Sequence, residues 1–170
     1  MSYVLECQLT APVSIQEAFA VFENPYNLAK ITPAWLNFRI TSPQQVQIRK
    51  GAEITYQIRW AGVPLSWKTI ITEYEPPFYF VDEQAQGPYK FWRHRHSFHP
   101  AENGTIVSDR VEYALPLGPA GWIAHKLLVA RQLREIFAYR QKTLAFLLAE
   151  GRHGEVSWTS PVTFCQSGSS

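Results

Sequence analysis

Between residues 53 and 116 the chain alternates apolar and polar side chains in one run after another, each closed by glycine or proline, and a single long amphipathic stretch follows. Alternation at period two makes half-buried strands, and the short gaps between runs join them as antiparallel neighbours. Such a chain has to build a meander with one apolar face, and the helix after it has to lie on that face. Ile54, Tyr56, Ile58 and Trp60 alternate with Glu53, Thr55, Gln57 and Arg59. After Ala61-Gly62-Val63-Pro64 the pattern resumes with Leu65, Trp67, Thr69 and Ile71. A four-residue loop there sets Trp60 opposite Leu65 and Ile58 opposite Trp67, all on one face. Strands then follow at Phe78–Ala85, at Phe91–His99 and through Val107, Asp109, Val111, Tyr113 and Leu115.

The flanks complete the architecture. Residues 3–10 alternate with Tyr3, Leu5, Cys7 and Leu9 on the inner face, and Ser14-Ile15-Gln16-Glu17 reads as a capping box that opens a short helix through Phe22. Asn24-Pro25 starts a second short helix, and Thr32-Pro33 ends it. Leu36–Ile40 and Gln45–Ile48 read as a strand bent at Ser42-Pro43. Gly118-Pro119 opens the long helix, which runs to Glu150 with Trp122, Val129, Leu133, Ile136, Phe137, Leu144, Leu147 and Leu148 on its apolar stripe. Residues 151–170 lose periodicity and are expected to form an irregular tail behind a single domain of residues 1–150. The expected fold is α+β: a curved antiparallel sheet of six to seven strands wrapped around a long C-terminal helix, a helix-grip arrangement that leaves room for a cavity.

Composition removes several function classes. Of 170 residues, 46% are hydrophobic and 18% charged, which is a globular and not a disordered balance. A net charge of +2 is too small for a nucleic-acid footprint, so no nucleic acid is expected as a partner. No apolar run reaches the ~18 residues of a span, so stable membrane insertion is not expected, and the opening MSYVLECQLTAPVS lacks the basic and apolar regions of a signal peptide. Cys7 and Cys165 lie far apart without metal spacing, as reduced thiols of a cytoplasmic protein would. The oligomeric state stays open, a homodimer included.

The chemistry concentrates in Trp92-Arg93-His94-Arg95-His96-Ser97-Phe98. With the arginines in solvent, Trp92, His94, His96 and Phe98 face the grip, and Asp109 on the next strand comes opposite His94 or His96. Three readings stay open: a buried polar network in which Asp109 fixes the tautomers, a ligand-orienting or acid–base pair, or a metal site. His99 has the wrong parity to be a third ligand and Asp109 could serve, but only two ligands are well placed, so no metal is assigned. A four-residue turn at 86–89 pairs Glu83 with Trp92 and brings Glu83 inside; an odd-length loop would select Asp82 and Gln84 instead. Arg140, between Ile136 and Leu144 on the stripe, is the partner for such a carboxylate, or snorkels from the stripe's edge. Tyr56, Trp60, Trp67, Trp92 and Tyr113 face the grip, where each could be plain core filling. Interleaved with His94, His96, Asp109 and Thr69, they make the walls of a small-molecule pocket.

The stretches NLAKITPAWLNFRI, PPFYFVDEQAQGPYKFWRHRHSFHP and SDRVEYALPLGPAGWIAHKL, together with the element order, resemble the SRPBCC superfamily of START-related and polyketide cyclase/dehydratase-like proteins. The likeness covers about residues 1–149 and looks closest to a bacterial ligand-binding branch without a defined activity. It implies a small, largely apolar or aromatic molecule held between sheet and helix, or a cyclase or dehydratase using a His/Asp pair there. No cofactor is implied.

Overall fold

The computed structural model describes residues 2–42, 46–60, 62–116, 118, 123, 125–149 and 157–166, and in the last segment the side chains of Val162, Thr163 and Phe164 alone. Strand β1 (Ser2–Ala11) leads into helices α1 (Ile15–Glu23) and α2 (Asn27–Lys30), a 3-10 turn (Ala34–Leu36) and the two-residue strand β2 (Arg39–Ile40). A meander follows: β3 (Glu53–Trp60), β4 (Val63–Glu75), β5 (Tyr79–Gln86), β6 (Phe91–Ala101) and β7 (Gly104–Ala114). After it come one π-helical turn (His125–Val129), helix α3 (Ala130–Ala149) and strand β8 (Ser157–Gln166). The sheet has eight strands in the order β2-β3-β4-β5-β6-β7-β1-β8, antiparallel throughout. This is the helix-grip arrangement, with α3 across the concave face.

Local chemistry sets the elements as expected at the start of the chain. The Ser14 hydroxyl accepts from Glu17 N at 3.3 Å and the Glu17 carboxylate accepts from Ser14 N at 2.9 Å, closing the capping box of α1. Phe19 and Phe22 of α1 then pack edge-on against Phe98 of β6, which closes one end of the grip. Asn24 Oδ1 accepts from Tyr26 N at 3.0 Å at the entry to α2.

Three expectations change. The strand over Leu36–Ile40 shrinks to Arg39–Ile40, because Asn37 turns left-handed at φ 45° after the 3-10 turn. Of its second half, Gln45 lies outside the described residues, and 46–49 form no strand. The tail is not irregular at residues 157–166: β8 pairs with β1, because β1 would otherwise present an unpaired edge of N–H and C=O groups. The rest of 151–170, like Pro119 and Trp122, lies outside the described residues.

The connection between β3 and β4 has two residues and not four, with Gly62 at φ 83°, so Trp60 pairs with Val63 and Tyr56 with Trp67. The register moves by two positions, and every side chain keeps its face. Arginines 93 and 95 stay on the outer face, where both reach Glu73 and Arg93 Nε donates to Glu83 at 3.1 Å. The basic outer strand face is thereby neutralised. Inside, α3 buries Leu133, Phe137, Arg140, Gln141, Leu144 and Leu148, and Gln141 donates to the Gln8 carbonyl at 3.2 Å. No described helix is long and apolar enough to cross a membrane.

Two positions give direct tests of this packing. Gly104, at φ 135° in the β6–β7 turn, leaves 2.0 Å between a Cβ and the Ala11 carbonyl oxygen, so Gly104→Ala should cost about 2 kcal/mol or more in urea denaturation. His125 stacks on Tyr3 at 3.5 Å and meets the Tyr113 hydroxyl at 2.8 Å, and burial holds its pKa below the ordinary value of 6.5. The unfolded chain therefore binds the proton first as pH falls below 6.5, and His125 withdraws stability on the acid side. The stability advantage of the wild type over His125→Gln should accordingly be smaller at acid pH than at pH above neutrality, measured by urea denaturation along a pH series.

Candidate functional site

Parity decides which side chains of the meander meet α3. On β6, Trp92, His94, His96 and Phe98 are buried while their neighbours are not, so the two imidazoles point into the grip. On β7 the same parity buries Asp109, directly across from His96. On β5 the inward carboxylate is Asp82 and not Glu83. Asp82 pairs with His94, and Glu83 pairs with Arg93 on the outer face, where it also accepts from the Thr72 hydroxyl at 3.2 Å. The β5–β6 connection is the odd-length one: Gln84 spans it, donating to the Tyr89 carbonyl at 2.7 Å and accepting from Tyr89 N at 3.2 Å.

These residues form one buried cluster. His94 Nε2 lies 2.8 Å from Asp109 Oδ1, and His96 Nε2 lies 2.9 Å from Asp82 Oδ2. The remaining ring nitrogens face the opposite carboxylates: His94 Nδ1 is 3.7 Å from Asp82 Oδ2, and His96 Nδ1 is 2.9 Å from Asp109 Oδ1. The last contact is short but out of line, so His96 Nδ1 makes no hydrogen bond. Arg140 comes down from α3 between the Phe22 and Phe137 rings, its Nε 3.7 Å from Asp109 Oδ2. The carboxylate that Arg140 meets is therefore Asp109 of β7, and not Glu83 of β5 as expected.

The charges follow from burial and from these contacts. Burial opposes ionisation of Asp109, but Arg140 and the two imidazoles outweigh it and hold the carboxyl well below the usual range. Asp82 is likewise lowered, with burial overcome by the hydrogen bond from His96 and by the nearby imidazoles. Burial, and then the like charge of His96, pull His94 down to about 4 against the pull of the two carboxylates. His96 goes the other way: burial disfavours its charge, but its contacts with Asp109 and Asp82 prevail. The cluster thus favours two ionised carboxylates beside the Arg140 guanidinium, favours charge on His96 over charge on His94, and lets His94 donate Nε2–H to Asp109.

A cavity of about 220 Å³ opens beside the cluster, between the concave face and α3. Of the residues expected there, Tyr56, Trp60, Trp67, Thr69, Trp92, His94, His96 and Arg140 line it. Glu83, Asp109 and Tyr113 do not: Glu83 is outside, Asp109 stands behind the two imidazoles, and Tyr113 is buried against His125. Beyond Asp82, the wall includes Tyr89 and Gln132. Gln132, bonded by Trp60 Nε1, sits four residues before Ile136 on the stripe, a helical spacing the sequence does display. Tyr89 comes from a turn, where no periodicity announces a direction. Tyr56 OH approaches Thr69 Oγ1 at 3.4 Å, whereas the buried Trp67 Nε1 has no hydrogen-bond partner among the described residues.

A family model described as "Polyketide cyclase / dehydrase and lipid transport" matches residues 11–138. No curated protein matches the sequence. Among solved structures the chain is similar to a protein of Thermus thermophilus, at 14% identity and a TM-score of 0.65, over 83% of this chain and 93% of that one. The di-domain ARO/CYC StfQ of the steffimycin biosynthetic pathway aligns at 13% identity and a TM-score of 0.69, over 88% of this chain and 52% of that one. Norcoclaurine synthase of Thalictrum flavum, in complex with dopamine and hydroxybenzaldehyde, aligns at 12% identity and a TM-score of 0.65, over 91% and 90% of the two chains. These likenesses establish the fold.

The cluster's mutual dependence is testable. Asp109→Asn strands Arg140 in a buried site and should cost about 3 kcal/mol in urea denaturation. Asp109→Asn combined with Arg140→Met removes the uncompensated charge and should recover part of that loss; a double variant less stable than the single one would contradict the pairing.

Proposed function

Because the chain belongs to the polyketide cyclase / dehydrase and lipid transport family, we propose that it is a cytoplasmic protein that binds one small, largely apolar, aromatic molecule in the cavity between sheet and helix. The observation that carries this reading is the composition of the cavity wall. Tyr56, Trp60, Trp67, Tyr89 and Trp92 supply aromatic faces, and Asp82, His94, His96 and Arg140 supply a polar patch on the same wall. Trp67 adds a buried N–H that no acceptor among the described residues satisfies, a position suited to a ligand oxygen. Size argues for rings over long acyl chains, since a cavity of ~150 Å³ accepts benzene and this one is about 220 Å³. Orientation would come from His96, Arg140 and Trp67, and the rings would pack on the indoles.

A second reading has its own support in the His96–Asp82 contact of 2.9 Å at the cavity wall. In that reading His96 Nε2–H turns from Asp82 Oδ2 to a substrate carbonyl and hydrogen-bonds it, and Asp82 takes the bond back afterwards. That is the first step expected of a cyclase or dehydratase. The readings separate on whether the bound molecule is recovered unchanged or is turned over in a His96-dependent way.

The test begins with native mass spectrometry of freshly purified protein, followed by extraction of whatever co-purifies. EDTA-treated protein is then titrated with 2-naphthol while tryptophan fluorescence is recorded. Quenching that saturates at one molecule per chain is expected, and Ile136→Trp, which fills the cavity from α3, should abolish it without unfolding the protein. A clean apo mass with no saturable quenching would overturn the binding reading.

A further inference from the structure

We propose that Asp82, His94 and His96 form a binding site for a first-row divalent cation of the Zn2+ type, with its remaining coordination positions open to the cavity. The three side chains offer one donor atom each, and these atoms all lie within 4.8 Å of one another. Asp82 Oδ2 is 2.9 Å from His96 Nε2 and 3.7 Å from His94 Nδ1. Metal–donor bonds of about 2.1 Å place neighbouring donors about 3.0–3.4 Å apart, a range that the two separations from Asp82 Oδ2 bracket. Two imidazoles and one carboxylate suit Fe2+, Co2+ and Zn2+, and not Mg2+ or Ca2+.

Hydrogen bonding alone does not account for the arrangement. His94 uses its Nε2 proton on Asp109 Oδ1, which leaves the Nδ1 lone pair facing the Asp82 carboxylate, two electron-pair donors with no proton to share. His96 Nδ1 sits 2.9 Å from Asp109 Oδ1 without the alignment of a hydrogen bond. A cation between Asp82, His94 Nδ1 and His96 Nε2 gives all four ring nitrogens a role. Each ring then ligates with one nitrogen and turns the other N–H toward Asp109. Metal-ligating histidines are commonly held in this way by a carboxylate behind the ring. Phe80, stacked on His96 at 4.3 Å, and Phe137, 5.5 Å from His94, keep the site dry.

The sequence spacing offered Asp109 as a third ligand; the structure puts Asp109 behind the rings and brings Asp82 in. The inference goes beyond ligand binding in the cavity. Its test uses untagged, EDTA-treated protein titrated with Co2+ and followed by visible absorption. Saturation at one Co2+ per chain is expected, with displacement by Zn2+ and no competition from millimolar Mg2+. Asp109→Asn, which removes no ligand, should weaken Co2+ binding about 10–100-fold at unchanged stoichiometry. A result independent of variants comes from 15N spectra of the wild-type histidines: Zn2+ should shift the ring nitrogens of His94 and His96 and leave those of His99 and His125 in place. No saturable Co2+ spectrum, equal competition by Mg2+, or shifts confined to other histidines would overturn the site. EDTA-treated protein that binds 2-naphthol but no Co2+ would overturn the metal site alone and leave the binding reading standing.

Discussion

Two carboxylates and a guanidinium lie largely withdrawn from water inside this fold, and the site exists because they and the two imidazoles compensate one another. Asp109 is the pivot: His94 and His96 on one side and Arg140 on the other all address its two oxygens. An isolated buried carboxylate would take up a proton instead, and an isolated buried guanidinium would disrupt the packing of α3. The sheet alone cannot supply this balance, since the cation comes from the helix. The grip therefore closes on chemistry as well as on apolar area.

The cavity follows from the same geometry. One apolar core gathers Phe19, Phe22, Phe80 and Phe98 at the α1 end, and another gathers Tyr3, Trp67, Trp92 and Tyr113 at the opposite end. Between them the concave face is spanned by α3, whose Leu133, Ile136 and Phe137 form the roof of the cavity. Polar groups sit where the two cores part, so the charged cluster forms one wall of the cavity and not the floor of a filled core.

The sequence legibility of this site varied with the parity of single connections. The β3–β4 loop proved two residues shorter than the Ala61–Pro64 text implied, yet Tyr56, Trp60, Trp67 and Thr69 kept their face, because a shift of two is one full period of the strand. The β5–β6 connection differed by one position, and that exchanged Glu83 for Asp82 at the cavity. Gln84 holds the connection at its odd length through two hydrogen bonds to Tyr89, an interaction between a strand side chain and a turn backbone that no periodicity records. Residues 157–166 were missed for another reason: Trp158, Val162 and Phe164 share one parity and Thr159 and Thr163 the other, but this short alternation lies among Gly- and Ser-rich flanks, and its partner, the β1 edge, is more than 140 residues away.

By itself the sequence determined the element order from β3 to the long helix, the inward faces of β1, β3, β4, β6 and β7, the capping of α1, and the meeting of His94, His96 and Asp109 in one interior. Those follow from period-two and period-3.6 patterning and from local hydrogen bonds, which a chain carries wherever it goes. Only the tertiary structure decided that Asp82 faces the imidazoles, that Asp109 stands behind them, that Tyr113 turns away to His125, and that β8 closes the sheet. Each of these depends on register and on the depth at which a side chain stops. Both are set by how the twisted sheet and α3 fit together, a quantity that belongs to the packed whole and not to any segment of it.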